Sequence, residues 1–366
     1  MSLGSTQSMV LTEFNAPLEK REYPFPKLEK GQLLVKVAAA GVCGSDAHMW
    51  RGKDPRTPLP VILGHEGVGW VVGMKDDKES VAGQKIKEGD LILWNRGISC
   101  DRCYYCKVTQ EPALCTNRLV YGINRGCEKP PHLRGGYSSH ILLDEATSVF
   151  HLPSNIDPAI VVGATCSGAT AAHAFDLVSP DIGDTVLVQG PGPLGLFSIA
   201  FAKARGATQI VVIGGTNERL KLCREFGANV TLNRNELTAA ERREKIMELT
   251  GGLGVDYAVE AAGSIAAVKE GISLVRRGGA YLSVGFGEPA GALELEIFEE
   301  LVHKNLHLQG VWVSDVRHTY MALQLIRDKM DKFSQMITHR LPLERATEGM
   351  ELMERKEAVK VALIPE

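Results

Sequence analysis

The sequence lacks a long apolar run and lacks an excess of charge of either sign. No window of its 366 residues reaches the roughly 18 apolar residues that a membrane-spanning helix needs. The 41 basic and 44 acidic residues nearly cancel, giving a net charge of -3. A protein whose main partner is nucleic acid usually carries a basic excess, which releases counterions from phosphate. The sequence therefore predicts neither a membrane protein nor a nucleic-acid-binding protein.

The first eight residues, MSLGSTQS, do not predict a secretory signal, because they have no basic start and no apolar centre. We therefore expect a cytoplasmic protein, and we expect these eight residues to be a cloning remnant or a frayed start before a first strand at Met9. Apolar residues make up 44% and charged residues 23%, as in ordinary globular proteins. The length predicts two domains or one large one.

The chain changes texture near residue 168. Residues 9–167 form short β runs broken by Gly and Pro, which predicts a β-rich, barrel-like domain. In residues 168–311, strand patterns such as TVLVQG and QIVVIGG alternate with helix-length segments, which predicts a doubly wound parallel sheet, an α/β arrangement of the Rossmann type. Residues 312–366 contain two helical patterns and a closing strand, and composition does not decide which domain they join.

A glycine-rich loop, GPGPLG, lies directly after a strand pattern and directly before a helix pattern. Gly190 permits a tight turn, Gly192 lets the backbone approach a pyrophosphate, and Gly195 lets helix and strand pack closely; Pro193 and Leu194 complete the loop. The anion then binds the free N–H groups of the helix start. We interpret the loop as a dinucleotide-binding site, with a purely structural turn as the alternative.

The end of the next strand, VVIGGTNER, lacks the carboxylate that normally binds the adenosine ribose of NAD about 20 residues after the loop. Gly214 occupies that position, and Thr216, Asn217 and Arg219 are nearby donors. We therefore expect that NADP is accepted and preferred, with NAD as the alternative.

Four of the eight cysteines, Cys100, Cys103, Cys106 and Cys115, form a C-x-x-C-x-x-C-x8-C pattern. Four thiolates at such spacing favour a closed, tetrahedral structural zinc site, with an iron–sulfur cluster as the main competitor. A redox pair would explain only two of them. Cys127 lies outside the pattern and is interpreted as a spare thiol.

Two further segments carry polar residues that can bind a metal. GVCGSDAHMW contains Cys43, Ser45, Asp46 and His48, and LGHEGVG contains His65 and Glu66. A thiolate, an imidazole and a carboxylate can form an open metal site with room for substrate. Taken singly, a Cys is more often a small core residue and a His a structural one.

With these motifs together, the chain resembles the zinc-dependent medium-chain dehydrogenase/reductase family, the alcohol and polyol dehydrogenases. The motifs GVCGSD, GHEGVG, the four-cysteine lobe, GATCSGATAAHA, GPGPLG and VEAAG follow in the family's order. The resemblance implies a catalytic zinc held by Cys43, His65 and a third ligand, Cys166, with Glu66 as a close or intermittently bound neighbour. Because polyol-type members use a Glu as the third ligand, a role of Cys166 in core packing remains the alternative.

The resemblance also implies a GroES-like catalytic domain over residues 9–167 and 312–366 and a Rossmann domain over residues 168–311. Two features depart from the family's pattern. The lobe has eight residues rather than seven before its last cysteine. NADP-using bacterial members have an Arg directly after the position of Gly214, and this chain does not.

The activity implied by the resemblance is hydride transfer between an alcohol or polyol and NAD(P), with zinc as the Lewis acid. Ser45 would take the proton and His48 would pass it to solvent, while Asp46 would orient His65. The alternatives are that Ser45 is only a turn residue and that His48 is only a surface residue. Lys360 would reach the cofactor pyrophosphate or else be a solvated charge.

The rival functions are a zinc-free quinone or enoyl reductase of the same fold and an interaction module built on the cysteine lobe. The substrate stays open: aromatic residues near the expected site suit an apolar alcohol, whereas Arg96 suits an anionic or polyhydroxylated one. A dimer or tetramer is the family expectation.

Overall fold

The structure, a computed structural model, describes residues 4–366. Its strands, in chain order, are β1 (Ser5–Leu11), β2 (Glu19–Pro24), β3 (Leu33–Val42), β4 (Val61–Ile62), β5 (Glu66–Met74), β6 (Lys78–Glu79), β7 (Lys85–Ile86), β8 (Leu91–Trp94), β9 (Gly97–Ile98), β10 (Leu119–Val120), β11 (His140–Leu143), β12 (Val149–Leu152), β13 (Thr185–Gln189), β14 (Gln209–Gly214), β15 (Val230–Asn233), β16 (Val255–Glu260), β17 (Val275–Ser283), β18 (His307–Gly310), β19 (Ile337–Pro342) and β20 (Lys360–Ile364).

The helices are α1 (Gly44–Trp50), α2 (Tyr104–Lys107), α3 (Pro158–Val161), α4 (Ser167–Leu177), α5 (Pro193–Ala204), α6 (Asn217–Phe226), α7 (Ala239–Leu249), α8 (Ile265–Leu274), α9 (Val316–Asp328), α10 (Met330–Ser334) and α11 (Ala346–Glu354). Short 3-10 turns cover Pro112–Leu114, Val162–Thr165 and Leu343–Arg345, and a π turn covers Phe298–Val302. Among residues 4–366, no helix is both long enough and apolar enough to cross a membrane.

The internal contacts divide the chain into two units. The first comprises the described residues up to 166 together with 315–326 and 333–366, and the second comprises 167–314 and 327–332. Residues 327–332, which the sequence analysis assigned to the first domain, group here with the second unit.

A seven-stranded sheet is the main element of the first unit, in the order β12-β8-β5-β3-β20-β19, with β11 also paired to β3. Alternating side chains of β3 and β5 point into a buried core, as half-buried strands require. Gly41 of β3 lies opposite Glu66 of β5, and Val42 lies opposite Val361 of β20. This register brings Cys43, which follows β3, to the same end of the sheet as Glu66 and Lys360.

The expectation of a frayed start is wrong for residues 5–8. They belong to β1, which pairs with β2 from Ser5 opposite Pro24 onward, and the Ser8 hydroxyl contacts the Ser138 hydroxyl at 2.7 Å. Polar side chains hid this strand in the sequence, because its pairing rests on the backbone. Residues 1–3 lie outside the described part of the chain.

The second unit contains a six-stranded parallel sheet in the order β15-β14-β13-β16-β17-β18. The chain moves outward from β13 to β15 and then returns to β16, so the strand order reverses between β13 and β16. Ligands of such sheets bind beyond the carboxyl ends of the strands at this reversal. The predicted fold class, a β-rich domain with a Rossmann-type domain, is confirmed.

Candidate metal centre and nucleotide loop

Four side chains from distant parts of the first unit converge on one point. The ligand atoms of Cys43, His65, Glu66 and Cys166 all lie within 4.8 Å of one another. The Cys43 and Cys166 sulfur atoms are 3.8 Å apart, and His65 Nε2 is 3.3 Å from Cys166 Sγ. His65 and Glu66 are fully buried, and Cys166 is nearly so. The structure therefore brings together the four residues predicted for the catalytic metal.

The backbone around Cys43 is fixed by the start of α1. Cys43 is the extended residue before the helix, and its N–H donates to Asp46 Oδ2 at 2.8 Å. A carboxylate in the first turn of a helix also interacts favourably with the helix dipole. The motif GVCGSD thus ends a strand, begins a helix and turns the thiol toward the sheet end.

Asp46 also contacts His65, and both side chains are fully buried. Asp46 Oδ1 lies 3.2 Å from His65 Nδ1, so the other ring nitrogen faces the sulfur atoms. Burial lowers the pKa of His65, but the charge and hydrogen bond of Asp46, together with Cys43, raise it to about 10. An acceptor behind a ligating histidine fixes the ring orientation and its tautomer.

The two thiols polarise each other. The hydrogen bond with Cys166 lowers the pKa of the Cys43 thiol, against the effect of burial and with help from His65 and Lys360. The same contact and burial raise the pKa of the Cys166 thiol, while the charge of Arg96 opposes this rise.

Lys360 lies in this cluster rather than at the surface. Its side chain is 1% exposed, and its ammonium group forms an ion pair with Glu66. Burial lowers the pKa of Lys360, but Glu66 and then Cys43 raise it above its usual value. A solvated charge is therefore excluded, and this burial speaks against the predicted contact with the pyrophosphate.

The donor set fits a zinc ion. Two sulfurs and one imidazole nitrogen are the ligands of open catalytic zinc sites, which keep a further position for substrate. Glu66 Oε1 is buried and has no hydrogen-bond partner among residues 4–366, so a carboxylate oxygen also faces the cluster without a proton donor. Buried polar atoms rarely remain unpaired, and a bound cation resolves this one.

A second cluster joins the sulfur atoms of Cys100, Cys103, Cys106 and Cys115, again within 4.8 Å of one another. The Cys100 N–H donates to Cys115 Sγ at 3.3 Å, and the Arg102 N–H lowers the pKa of Cys100 to about 6. The eight-residue spacing is spanned by the end of α2 and the 3-10 turn Pro112–Leu114. Cys127 lies elsewhere, 3.6 Å from the Tyr23 hydroxyl.

Ser45 and His48 lie three residues apart on α1, a spacing that places both side chains on one side of a helix. Ser45 Oγ is 3.9 Å from Cys43 Sγ. His48 is half-buried. Ser45 therefore lies beside the cluster, and His48 lies about one turn further along α1.

The glycine loop of the second unit lies between β13 and α5. Gly190 has a φ of 111°, and a Cβ there would meet Ala261 O at 2.8 Å. A Cβ on Gly195 would lie 1.9 Å from Gly190 O, whereas one on Gly192 would meet nothing within 4 Å. Gly192 precedes α5, whose first two residues are Pro193 and Leu194. The helix start is therefore open to an anion at Gly192.

The end of β14 cannot carry a carboxylate at Gly214 without rearrangement, since a Cβ would lie 2.7 Å from Leu220 and 2.8 Å from Pro191. Of the predicted donors, Thr216 is exposed before α6, and Asn217 hydrogen-bonds Asn233 and Glu236. Arg219 is half-buried, and burial lowers its pKa.

Sequence reasoning missed Arg234 at this position. A Cβ on Gly215 would lie 3.2 Å from Arg234 Nε, and the Arg234 N–H donates to Gly214 O at 2.8 Å. Arg234 is exposed. It follows β15, so only the parallel pairing of Gly214 with Asn233 brings it here. A search of the next strand end, besides the residues directly after β14, would have found it.

Comparison with known proteins gives matches along nearly the whole chain. Residues 29–154 match the family described as alcohol dehydrogenase GroES-like domain, and residues 193–328 match zinc-binding dehydrogenase. The structure is similar to that of an alcohol dehydrogenase from Thermotoga maritima, with a TM-score of 0.96 and 49% identity, over 99% of this chain and 100% of that one.

Two further relatives are more distant. A candidate zinc-binding dehydrogenase from Sinorhizobium meliloti, solved bound to NADP, is 27% identical with a TM-score of 0.85, over 99% of this chain and 100% of that one. The 5-exo-hydroxycamphor dehydrogenase of Pseudomonas putida is 31% identical over 361 residues, which is 97% of each chain.

Proposed function

The chain belongs to the zinc-dependent medium-chain dehydrogenase/reductase family, and on that basis we propose that it oxidises an alcohol or polyol at a zinc held by Cys43, His65 and Cys166. Family membership confirms the predicted resemblance and the class of reaction, hydride transfer by an oxidoreductase that uses zinc and NAD(P). The observation that carries the ligand assignment is the convergence of these three side chains in one buried cluster.

At this position zinc supplies a Lewis acid for the substrate oxygen. Asp46 Oδ1 lies 3.2 Å from His65 Nδ1, and Asp46 Oδ2 accepts the Cys43 N–H, so one carboxylate contacts two of the proposed ligands. Glu66 stays close to the cluster, and its pairing with Lys360 supports a role as a neighbour rather than as a permanent ligand.

Ser45 accepts the proton that the substrate hydroxyl loses, and His48 passes it on. The position of Ser45 Oγ next to Cys43 supports this role, because the hydroxyl lies beside a proposed ligand. An imidazole can both accept and donate a proton, which suits a group that exchanges protons with solvent.

Cys100, Cys103, Cys106 and Cys115 hold a second, structural zinc. Four sulfur donors leave no open position for substrate, as in closed structural sites. All eight cysteines are free thiols in the structure, which fits a cytoplasmic location, since that compartment keeps thiols reduced.

NADP is the preferred cofactor. Gly190, Gly192 and Gly195 would hold the pyrophosphate, and Arg234 together with Thr216 would hold the 2′-phosphate of the adenosine ribose. The exposed guanidinium beside Gly215 supports this preference, as does the lack of room for a carboxylate at Gly214.

A homo-oligomer is also proposed, with the edge strand β18 as its contact. Edge strands offer unpaired backbone groups to another chain. Exposed apolar side chains lie on and directly before this strand, among them Leu308, Phe298 and Val302.

Metal analysis and a substrate panel test the function. We expect two zinc ions per chain, one for each cluster, and reduction of NADP by at least one alcohol or polyol, followed at 340 nm. A Cys166→Ser variant should keep one zinc and lose the activity, whereas a Cys127→Ser variant should keep both. One zinc in the unmodified protein, lost on replacing Cys103, would favour the zinc-free reductase instead.

A further inference from the structure

Arg96 is a buried cation with no role in the proposed reaction. It lies between β8 and β9 and is 6% exposed. Its Nη1 donates to Cys166 Sγ at 3.0 Å. Among the described residues, this sulfur is the one hydrogen-bond acceptor of the guanidinium, and no carboxylate forms an ion pair with it.

A buried guanidinium without an anion is costly, because removing a charge from water costs several kcal/mol unless a partner compensates it. When zinc is bound, Cys166 would be a thiolate, and the 3.0 Å contact places that anion directly against the guanidinium. The short contact is thus a charge-assisted hydrogen bond to a sulfur that the proposed function makes a zinc ligand.

The backbone around Arg96 is held on both sides. Arg96 O accepts the N–H of Tyr121 at 3.0 Å, and the Asn95 side chain donates to Gly97 O at 2.8 Å. The Thr319 hydroxyl in turn donates to Asn95 Oδ1 at 3.0 Å. A side chain on such a fixed segment loses little additional freedom when it binds the sulfur.

We propose that Arg96 is a positioning residue for the catalytic zinc: it holds the Cys166 thiolate by an N–H···S hydrogen bond and limits the electron density that this sulfur donates to the metal. A sulfur that donates less leaves the metal a stronger Lewis acid, so the hydrogen bond favours the reaction without contact with the substrate. This inference rests on the proposed ligand role of Cys166.

Cobalt(II) exchanged into the catalytic site tests the proposal, since its sulfur-to-metal charge-transfer band reports directly on the thiolates. The protein is compared with Arg96→Lys, Arg96→Gln and Arg96→Met, all in full-length chains loaded with the metal and without substrate. We expect Arg96→Met to shift the band to longer wavelength, because an uncompensated thiolate is easier to oxidise. Arg96→Lys should shift it least, and kcat of the zinc form of Arg96→Met should fall roughly 10- to 100-fold.

The control is Arg134→Met, which removes a similarly buried arginine whose partner is Asp144 rather than the cluster. It should leave the band unchanged. A band that stays in place in all three Arg96 variants would overturn the proposal, and a change confined to KM would assign Arg96 to the substrate instead. If Arg96→Met does not fold, the Lys and Gln variants decide the question.

The same cobalt spectra test the zinc-ligand role of Cys166 and the role of Arg96 separately. If cobalt in the unmodified protein gives no thiolate band beyond that of the four-cysteine lobe, the ligand assignment itself is wrong. If that band is present and vanishes in Cys166→Ser, but does not respond to Arg96, only the role of Arg96 is wrong.

Discussion

Replacing Arg234 by Gln should weaken NADP binding about 10-fold while NAD binding stays nearly the same. A hydrogen bond to a charged group contributes about 1.5–3 kcal/mol, and the exposure of Arg234 places it at the lower end of that range. Since about 1.4 kcal/mol corresponds to a tenfold change in affinity, the lower end gives the stated factor. NAD has no 2′-phosphate, so it loses nothing when this charge is removed.

The neighbouring glycines sharpen the test. Gly215→Asp should reduce NADP affinity more than Arg234→Gln does, because the new carboxylate both pairs with Arg234 and repels the phosphate. A Cβ at Gly215 meets the flexible end of Arg234 at 3.2 Å and the Asn235 amide nitrogen at 3.7 Å, so the fold tolerates it. Gly214→Asp should impair both nucleotides, since its Cβ would collide with Leu220 and Pro191 next to the glycine loop.

The assay is the KM for each nucleotide at saturating alcohol, with dissociation constants from the fluorescence of the reduced nucleotides as a direct measure. Arg277→Gln is the control, because Arg277 is an exposed arginine on β17, bound to His303 and three strands away from β14. A KM for NADP that changes less than about twofold in Arg234→Gln refutes the assignment. Equal losses for NAD and NADP would refute it as well, since they would indicate general damage to the loop.

Three further results are expected. Ser45→Ala should lower kcat about 100-fold, the usual effect of losing a positioned proton acceptor, while His48→Gln should do less because water can replace it; equal steady-state rates would remove Ser45 from the reaction. Cys103→Ser should release one zinc by metal analysis and lower the melting temperature, and retention of both ions would contradict the four-sulfur site. Burial lowers the pKa of His140 to about 4, and the charge of Lys36 is a smaller cause. Below pH 6.5 the unfolded chain therefore protonates His140 more readily than the folded chain does, so the folded state loses stability as the pH falls from 6.5 toward 4. The difference in unfolding free energy between the protein and His140→Gln should therefore decline by about 1–2 kcal/mol over that interval in urea titrations, and a constant difference would contradict the burial argument.

The sequence was sufficient for features that depend on local pattern. Glycines at 190, 192 and 195 have a defined spacing between a strand and a helix, and the cysteines of the lobe lie within one short segment, so both could be found without a fold. The convergence of Cys43, His65 and Cys166 followed from the family resemblance, because residues up to about 120 positions apart share no local pattern.

The contacts that sequence reasoning missed depend on strand pairing. Lys360 contacts Glu66 because β20 lies beside β3, and Arg234 reaches Gly215 because β15 lies beside β14. Neither pairing leaves a signal in the residues themselves, since a charged side chain at a strand end is ordinarily solvated. Arg96 was recognised only as a residue near the expected site, and its partner became evident from the 3.0 Å contact.

Packing also explains why the motif GHEGVG carries its glycines. A Cβ on Gly67 would lie 2.0 Å from the ring of Trp94, and one on Gly41, across the sheet, would lie 2.0 Å from Glu66 Oε2. Both contacts are with buried groups that have no room to withdraw, so a side chain at either position must displace them. Gly41 therefore leaves room for the Glu66 carboxylate, and Gly67 leaves room for the Trp94 ring. Gly41 begins the motif GVCGSD and Gly67 lies in GHEGVG, so two of the residues by which the chain resembles the family also shape the space around Glu66 and Trp94.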